Sequence, residues 1–141
     1  MDSQAMKAAL KGSESGKLRF PEVIGILNGA GVESYYADLI RGEDVFYMPD
    51  GQTHVEPMQH SGWKVAGSFS QEALIKALRL VQADEIRYPE FLKQATSAGT
   101  AGYRVFLAGR KVIYFGRKGE FYVENFPGTK LLLREEENLG R

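Results

Sequence analysis

Residues 19–35 read RFPEVIGILNGAGVESY, and residues 87–103 read RYPEFLKQATSAGTAGY. The two stretches share six identities without a gap: Arg, Pro, Glu, Ala, Gly and Tyr. Unrelated windows of this length share about one by composition alone. Pro21 and Pro89 are 68 positions apart, and the same spacing relates Leu39 to Leu107, Gly51 to Gly119, Val55 to Val123 and Glu56 to Glu124. Backwards, it relates Ala5 to Ala73, Ala9 to Ala77 and Leu10 to Leu78. The sequence therefore predicts one domain over 1–141, built from internal repeats at 2–59 and 70–127, with a link at 60–69 and a C-terminal tail at 128–141. Two copies are too few for a solenoid, so an internal duplication is the expectation.

Outward from the repeated phrase, each copy reads the same way. Phe20, Val23, Ile24 and Leu27 recur as Tyr88, Phe91, Leu92 and Ala95, one apolar face at helical spacing. Proline is tolerated in a first helical turn, and the glutamate after it favours the positive end of the helix dipole. Gly31 and Gly99 stand where a left-handed closing residue is wanted. An earlier helix is marked by Ala5, Met6, Ala9 and Leu10, and by Leu74, Ala77, Leu78 and Val81, with Ser68 or Ser70 available as a cap. Three strands follow: ESYYADLI, VFYM and QTHVE in one copy, AGYRVFLA, KVIYF and EFYVENF in the other. Asp50-Gly51 and Lys118-Gly119 are hairpin signals, and short turns make neighbours antiparallel. The predicted fold is α+β: two α-α-β-β-β units whose antiparallel meanders carry helices on one face.

The net charge of zero and the absence of a basic stripe give no support to nucleic-acid binding. The chain has no cysteine, which excludes disulfides and thiol chemistry and fits a reducing compartment. No signal peptide or membrane-length apolar run is seen, so a soluble cytoplasmic protein is expected.

Side chains alternate across a strand. Tyr35, Ala37 and Leu39, with Tyr103, Val105 and Leu107, make an apolar face assigned to the helices. Parity then places Tyr36, Asp38, Phe46, Met48 and His54, and Arg104, Phe106, Tyr114, Tyr122 and Glu124, on a helix-free face. That set is too aromatic for a plain solvated surface, and these residues, Met48 aside, are the candidate ligand- or partner-binding residues. The middle strands, apolar at both parities, are expected to be buried on both sides.

Catalytic and metal signals are weak. His54, Glu56 and His60 lack a third histidine, so no metal site is expected and a solvated histidine pair is favoured. GTAG at 99–102 follows a helix and precedes a strand, the wrong order for a phosphate cradle. Ser34, Asp38 and His54 form a conceivable triad, but sequence cannot bring them together. Glu56 and Glu124 could act as paired carboxylates if they converged; exposed strand ends or ion pairs with Arg104, Lys64 or Arg117 are favoured instead. No cofactor is indicated. Trp63, in the link, either plugs the seam between copies or lies open as a contact.

Tyr88 and Phe91 before Ala98-Gly99, Tyr103 with Val105, RKVIYFGRKGEFYVENFP, and FPEVIGILNGAGVESYYADL together resemble the YbcV-like family of small bacterial proteins, over roughly residues 18–128. Some of its members are labelled phage-related or "envelope" proteins. The resemblance implies no catalytic residues. The sequence favours a non-catalytic binding or interaction module using the aromatic sheet face. Two alternatives stand beside it: a small enzyme with an acidic and histidine site at the seam, and a homodimer whose sheet face is only a subunit interface.

Overall fold

The computed structural model describes residues 1–59 and 63–126. The order is α1 (Ser3–Glu14), α2 (Phe20–Gly29), β1 (Ser34–Asp38), β2 (Glu43–Tyr47), β3 (Thr53–Pro57), α3 (Gln71–Gln82), α4 (Tyr88–Ser97), β4 (Thr100–Phe106), β5 (Lys111–Gly116) and β6 (Phe121–Asn125). Each half is thus α-α-β-β-β, and the class is α+β as expected. The tail beyond Phe126 and His60 lie outside the described residues.

Local signals set the helix ends. Asp2 Oδ1 accepts from the Ala5 amide, and Ser70 Oγ from the Ala73 amide. The expected stripes are buried: Met6, Ala9 and Leu10 in α1, Leu74, Ala77 and Leu78 in α3. Gly31 and Gly99 follow α2 and α4 with φ of +78° and +88°, the left-handed geometry that glycine takes without penalty. At Gly99 close approach adds a second demand, because a Cβ there would sit 2.1 Å from the Ser68 carbonyl oxygen.

The strands form one antiparallel sheet in the order β3-β2-β1-β4-β5-β6. The halves meet at the central β1–β4 pairing, where Tyr36 lies opposite Arg104. Those two residues are themselves 68 apart, so the register of this pairing keeps the spacing of the repeated phrase. The outer ladders keep the same offset: Ser34 opposes Tyr47 as Gly102 opposes Phe115, and Phe46 opposes His54 as Tyr114 opposes Tyr122.

Directly opposed residues share a face of the sheet. Tyr35, Ala37, Phe46, Tyr103, Val105, Val112 and Tyr114 form the buried layer, joined in one core by Leu27, Leu74, Phe91 and Leu92 of the helices. This corrects the parity expected for half of the candidate residues. Phe46 lies opposite Tyr35, His54 opposite Phe46, Tyr114 opposite Tyr103, Tyr122 opposite Tyr114 and Glu124 opposite Val112, all on the helix side. Met48, beyond the end of β2, also packs against the core. The physical reason is the hairpin. Its turn pairs odd-numbered β1 residues with even-numbered β2 residues, and a strand apolar at both parities offers no contrast from which to read this. Nor is β2 buried on both sides, since Glu43, Val45 and Tyr47 are only half-buried.

Of the predicted face, Tyr36, Asp38, Arg104 and Phe106 do lie on the helix-free side. There the Arg104 guanidinium sits over the rings of Tyr47 and Phe106, at 4.5 and 5.3 Å from their centroids. Tyr36 fits because position 102 is glycine; a Cβ there would lie 2.3 Å from its hydroxyl.

Candidate functional site

The repeated phrase places Arg19 and Arg87 at the N-caps of α2 and α4. Both helices start beside a cavity of about 300 Å3 on the helix side of the sheet. Its walls are built from residues 68 apart: Leu18 with Ile86, Arg19 with Arg87, Phe20 with Tyr88, Val23 with Phe91, Tyr35 with Tyr103. The cavity therefore straddles the junction of the halves. Its volume sits at the lower end of the roughly 300–1,000 Å3 of small-molecule sites.

The walls grade from apolar depth to charged mouth. Tyr35, Phe91, Tyr103, Val112 and Tyr114 are buried at the inner end. The Tyr88 and Tyr103 hydroxyls are bonded to each other. Burial raises the pKa of Tyr35, Tyr88, Tyr103 and Tyr114 above the ordinary phenol value, so all four are neutral hydroxyls at physiological pH. At the mouth, Arg19 Nη2 lies 2.5 Å from Asp84 Oδ2 and Arg87 Nη1 lies 3.0 Å from Asp84 Oδ1. Asp84 has φ of +62°, at the position matching Gly16 of the first half, whose φ is +75°. Glu124 also lines the wall, with its carboxylate engaged by Arg79 at 2.8 Å and by the Tyr122 hydroxyl at 2.7 Å.

Beside it is a space of about 20 Å3, room for roughly one water. It shares Tyr35, Tyr88 and Tyr103 with the larger cavity and is also lined by Asp44. Asp44 is 4% exposed, and its Oδ1 has no hydrogen-bond partner. Burial, with the charge of Glu14 second, pushes its carboxyl up to about 8. At neutral pH it is therefore mostly a carboxylic acid, able to donate.

The other predicted groups are dispersed. His54 Nε2 is 2.7 Å from Glu56 Oε1, so His54 is paired with a buried carboxylate and is not simply solvated. Glu56 and Glu124 lie on β3 and β6, the two edges of the six-stranded sheet, so five inter-strand spacings of about 4.8 Å separate their strands by roughly 24 Å. Their ion-pair partners are His54 and Arg79, not the Arg104, Lys64 or Arg117 expected. Asp38 Oδ1 accepts from the Ile40 and Arg41 amides at the β1–β2 turn, while Ser34 accepts from Arg104. Asp38 and Ser34 thus lie on the face opposite His54, and the conceivable triad is not assembled. Among the described residues no group of three or more His, Asp or Glu side chains could hold a metal. Trp63 is partly buried against the core.

Sequence reading missed Arg19, Arg87, Tyr35, Tyr88 and Tyr103 as site residues. Their signal was present in the repeated Arg and Tyr, which served there only as evidence of repetition. Asp44 also carried a signal, an acid two residues from Phe46 on the face that proves to be buried.

The fold and cavity define an α+β protein with an aromatic pocket at the junction of two like halves. The chain belongs to the family described as "Protein of unknown function (DUF1398)", which matches residues 13–125. It is 35% identical over 63 residues to the uncharacterized proteins Mb2035 of Mycobacterium bovis and Rv2012 of Mycobacterium tuberculosis. That match covers 45% of this chain and 38% of each relative. Among the described residues no helix is long and apolar enough to cross a membrane.

Proposed function

We propose that the chain is a binding protein that holds a small organic molecule in the tyrosine-walled cavity. The observation that carries this is the cavity itself: about 300 Å3, apolar at depth, with a charged mouth and equivalent residues of both halves in its walls. A binding role is favoured over a catalytic one because the groups a reaction would draw on, Asp38, His54, Glu56 and Glu124, are spread over two faces and two edges of the sheet. The absence of cysteine is compatible with a cytoplasmic setting, and the resemblance to YbcV-like proteins adds no residue roles.

p-Cresol, a neutral aromatic probe, tests this reading. Titrated into the protein, it should shift the NMR signals of Val23, Val81 and Val112. Val112→Phe, which fills the inner wall, should abolish the shifts. Shifts that appear elsewhere, or that survive the filling, would count against the cavity.

A second reading rests on the helix-free face, where Val55, Phe121 and Val123 are 48%, 62% and 39% exposed beside Tyr36, Phe106 and Phe115. A second copy of the chain could pack there. Six strands of about five residues make a footprint of roughly 29 by 17 Å, so a pair buries about 1,000 Å2, below standard interfaces. Such a dimer would be weak, visible by sedimentation only at high concentration. A tight dimer abolished by Phe121→Ser would instead make this face the principal site.

A further inference from the structure

Local physics disfavours arginine where this chain repeats it. Helix N-caps favour short side chains that accept hydrogen bonds, and cations are unfavourable at the positive end of a helix dipole. Arg19 and Arg87 occupy both N-caps, and neither side chain caps its helix. Residues that break a local rule without a local gain are expected at functional sites. What the two share is a target at the cavity mouth, the carboxylate of Asp84. Asp84 in turn holds a left-handed conformation uncommon for a residue with a side chain. One carboxylate faces two guanidiniums at the mouth, a local excess of one positive charge, while Glu22 and Glu90 in the first turns answer the two helix N-termini. The three side chains are 58%, 48% and 36% exposed, so these ion pairs are weak and exchangeable.

Resting on the cavity reading above, we propose that the bound molecule is an organic carboxylate: an apolar or aromatic body lying against Phe91, Val112 and Tyr114, with its carboxylate replacing Asp84 between Arg19 and Arg87. A planar carboxylate matches the guanidinium fork in two-point geometry. Glu124, the other acid on the wall, is neutralised by Arg79 and so does not oppose an incoming anion. Away from the arginines, the Tyr88–Tyr103 hydroxyl pair on the cavity wall offers hydrogen bonding to a second polar group of the ligand.

A charge series on one body decides the matter: 4-hydroxyphenylacetate, its neutral amide, and tyramine, titrated calorimetrically into the full chain. The anion should bind about tenfold tighter than the amide, a difference of about 1.4 kcal/mol, and tyramine should not saturate. Arg19→Gln with Arg87→Gln should erase the preference for the anion, so that anion and amide bind within about twofold of each other. Asp84→Asn, which removes the competing carboxylate, should tighten the anion about fivefold. Equal binding of anion and amide, or a preference for tyramine, overturns the proposal. If p-cresol still binds in that case, the cavity reading survives and only the charge assignment fails. Binding by none of the probes overturns both. Should the double arginine variant not fold, the charge series on the unaltered protein decides alone.

Discussion

Asp44→Asn should remove most of the protein's pH dependence between pH 5 and 9. The folded carboxyl titrates at about 8, against an ordinary value of 3.8. Between those values the folded state keeps a proton that the unfolded state has lost. Stability must therefore fall as pH rises through this window and level off above about 8. A shift of about four units, at about 1.36 kcal/mol per unit, gives a penalty on the order of 5 kcal/mol above pH 8, reduced if water enters the neighbouring space. Domain stabilities of about 5–15 kcal/mol make that a large share of the total. The groups around Asp44 are Glu14 from α1, Glu56 opposite it on β3, and the tyrosine hydroxyls of Tyr35, Tyr88 and Tyr103. Asparagine keeps the shape and cannot ionise. Urea unfolding followed by circular dichroism at pH 5, 7 and 9 is the assay. With a slope of about 2 kcal/mol per molar urea, the wild-type midpoint should drop by roughly two molar across the series. The variant's midpoint should stay nearly flat, above wild type by less than about one molar at pH 5 and by more than about two molar at pH 9. Parallel profiles for the two proteins, or a wild type that gains stability from pH 5 to 9, would refute the reasoning.

Glycine positions separate backbone strain from collision: Gly99→Ala should cost more than about 3 kcal/mol, because its Cβ meets backbone at 2.1 Å, while Gly31→Ala, with its nearest contact at 3.6 Å, should cost about 1. The reverse order in urea midpoints would sink this account. The two sheet faces should also respond differently. Tyr114→Ser, on the helix side, should destabilise by about 3–5 kcal/mol, and Phe106→Ser, on the half-open side, by about 1–2. Equal losses would mean that both faces are core.

Helix starts and stops were legible because single residues dictate them. Pro21 and Pro89 admit only a first turn, and Gly31 and Gly99 take positive φ. Strand order within each half was legible from short turns. Facing was legible for Tyr35 and Ala37, which alternate with more polar neighbours, and illegible for Phe46 and Tyr114, whose strands are apolar at both parities. Pairing between β1 and β4 fixes which helix starts converge, and no local signal encodes it. The cavity was therefore beyond reach, although both arginines of its mouth, Arg19 and Arg87, stood in the repeated phrase.

The β1–β4 pairing also has a kinetic consequence. Among the described residues, the other four ladders join strands adjacent in the chain, and α1 packs on α2 as α3 packs on α4. These contacts close short loops, which form fast. Ser34 and Phe106, paired across the junction, are separated by most of the chain's middle, so their loop closes at greater entropic cost. Folding should then proceed as two hairpin-rich halves that dock last. Conservative substitutions at Tyr36 or Val105 should accelerate unfolding while leaving the folding limb of the chevron almost unmoved. The last contact to form is also the one that completes the cavity. A chain caught before docking would have its full complement of helices and hairpins and nothing yet able to hold a ligand.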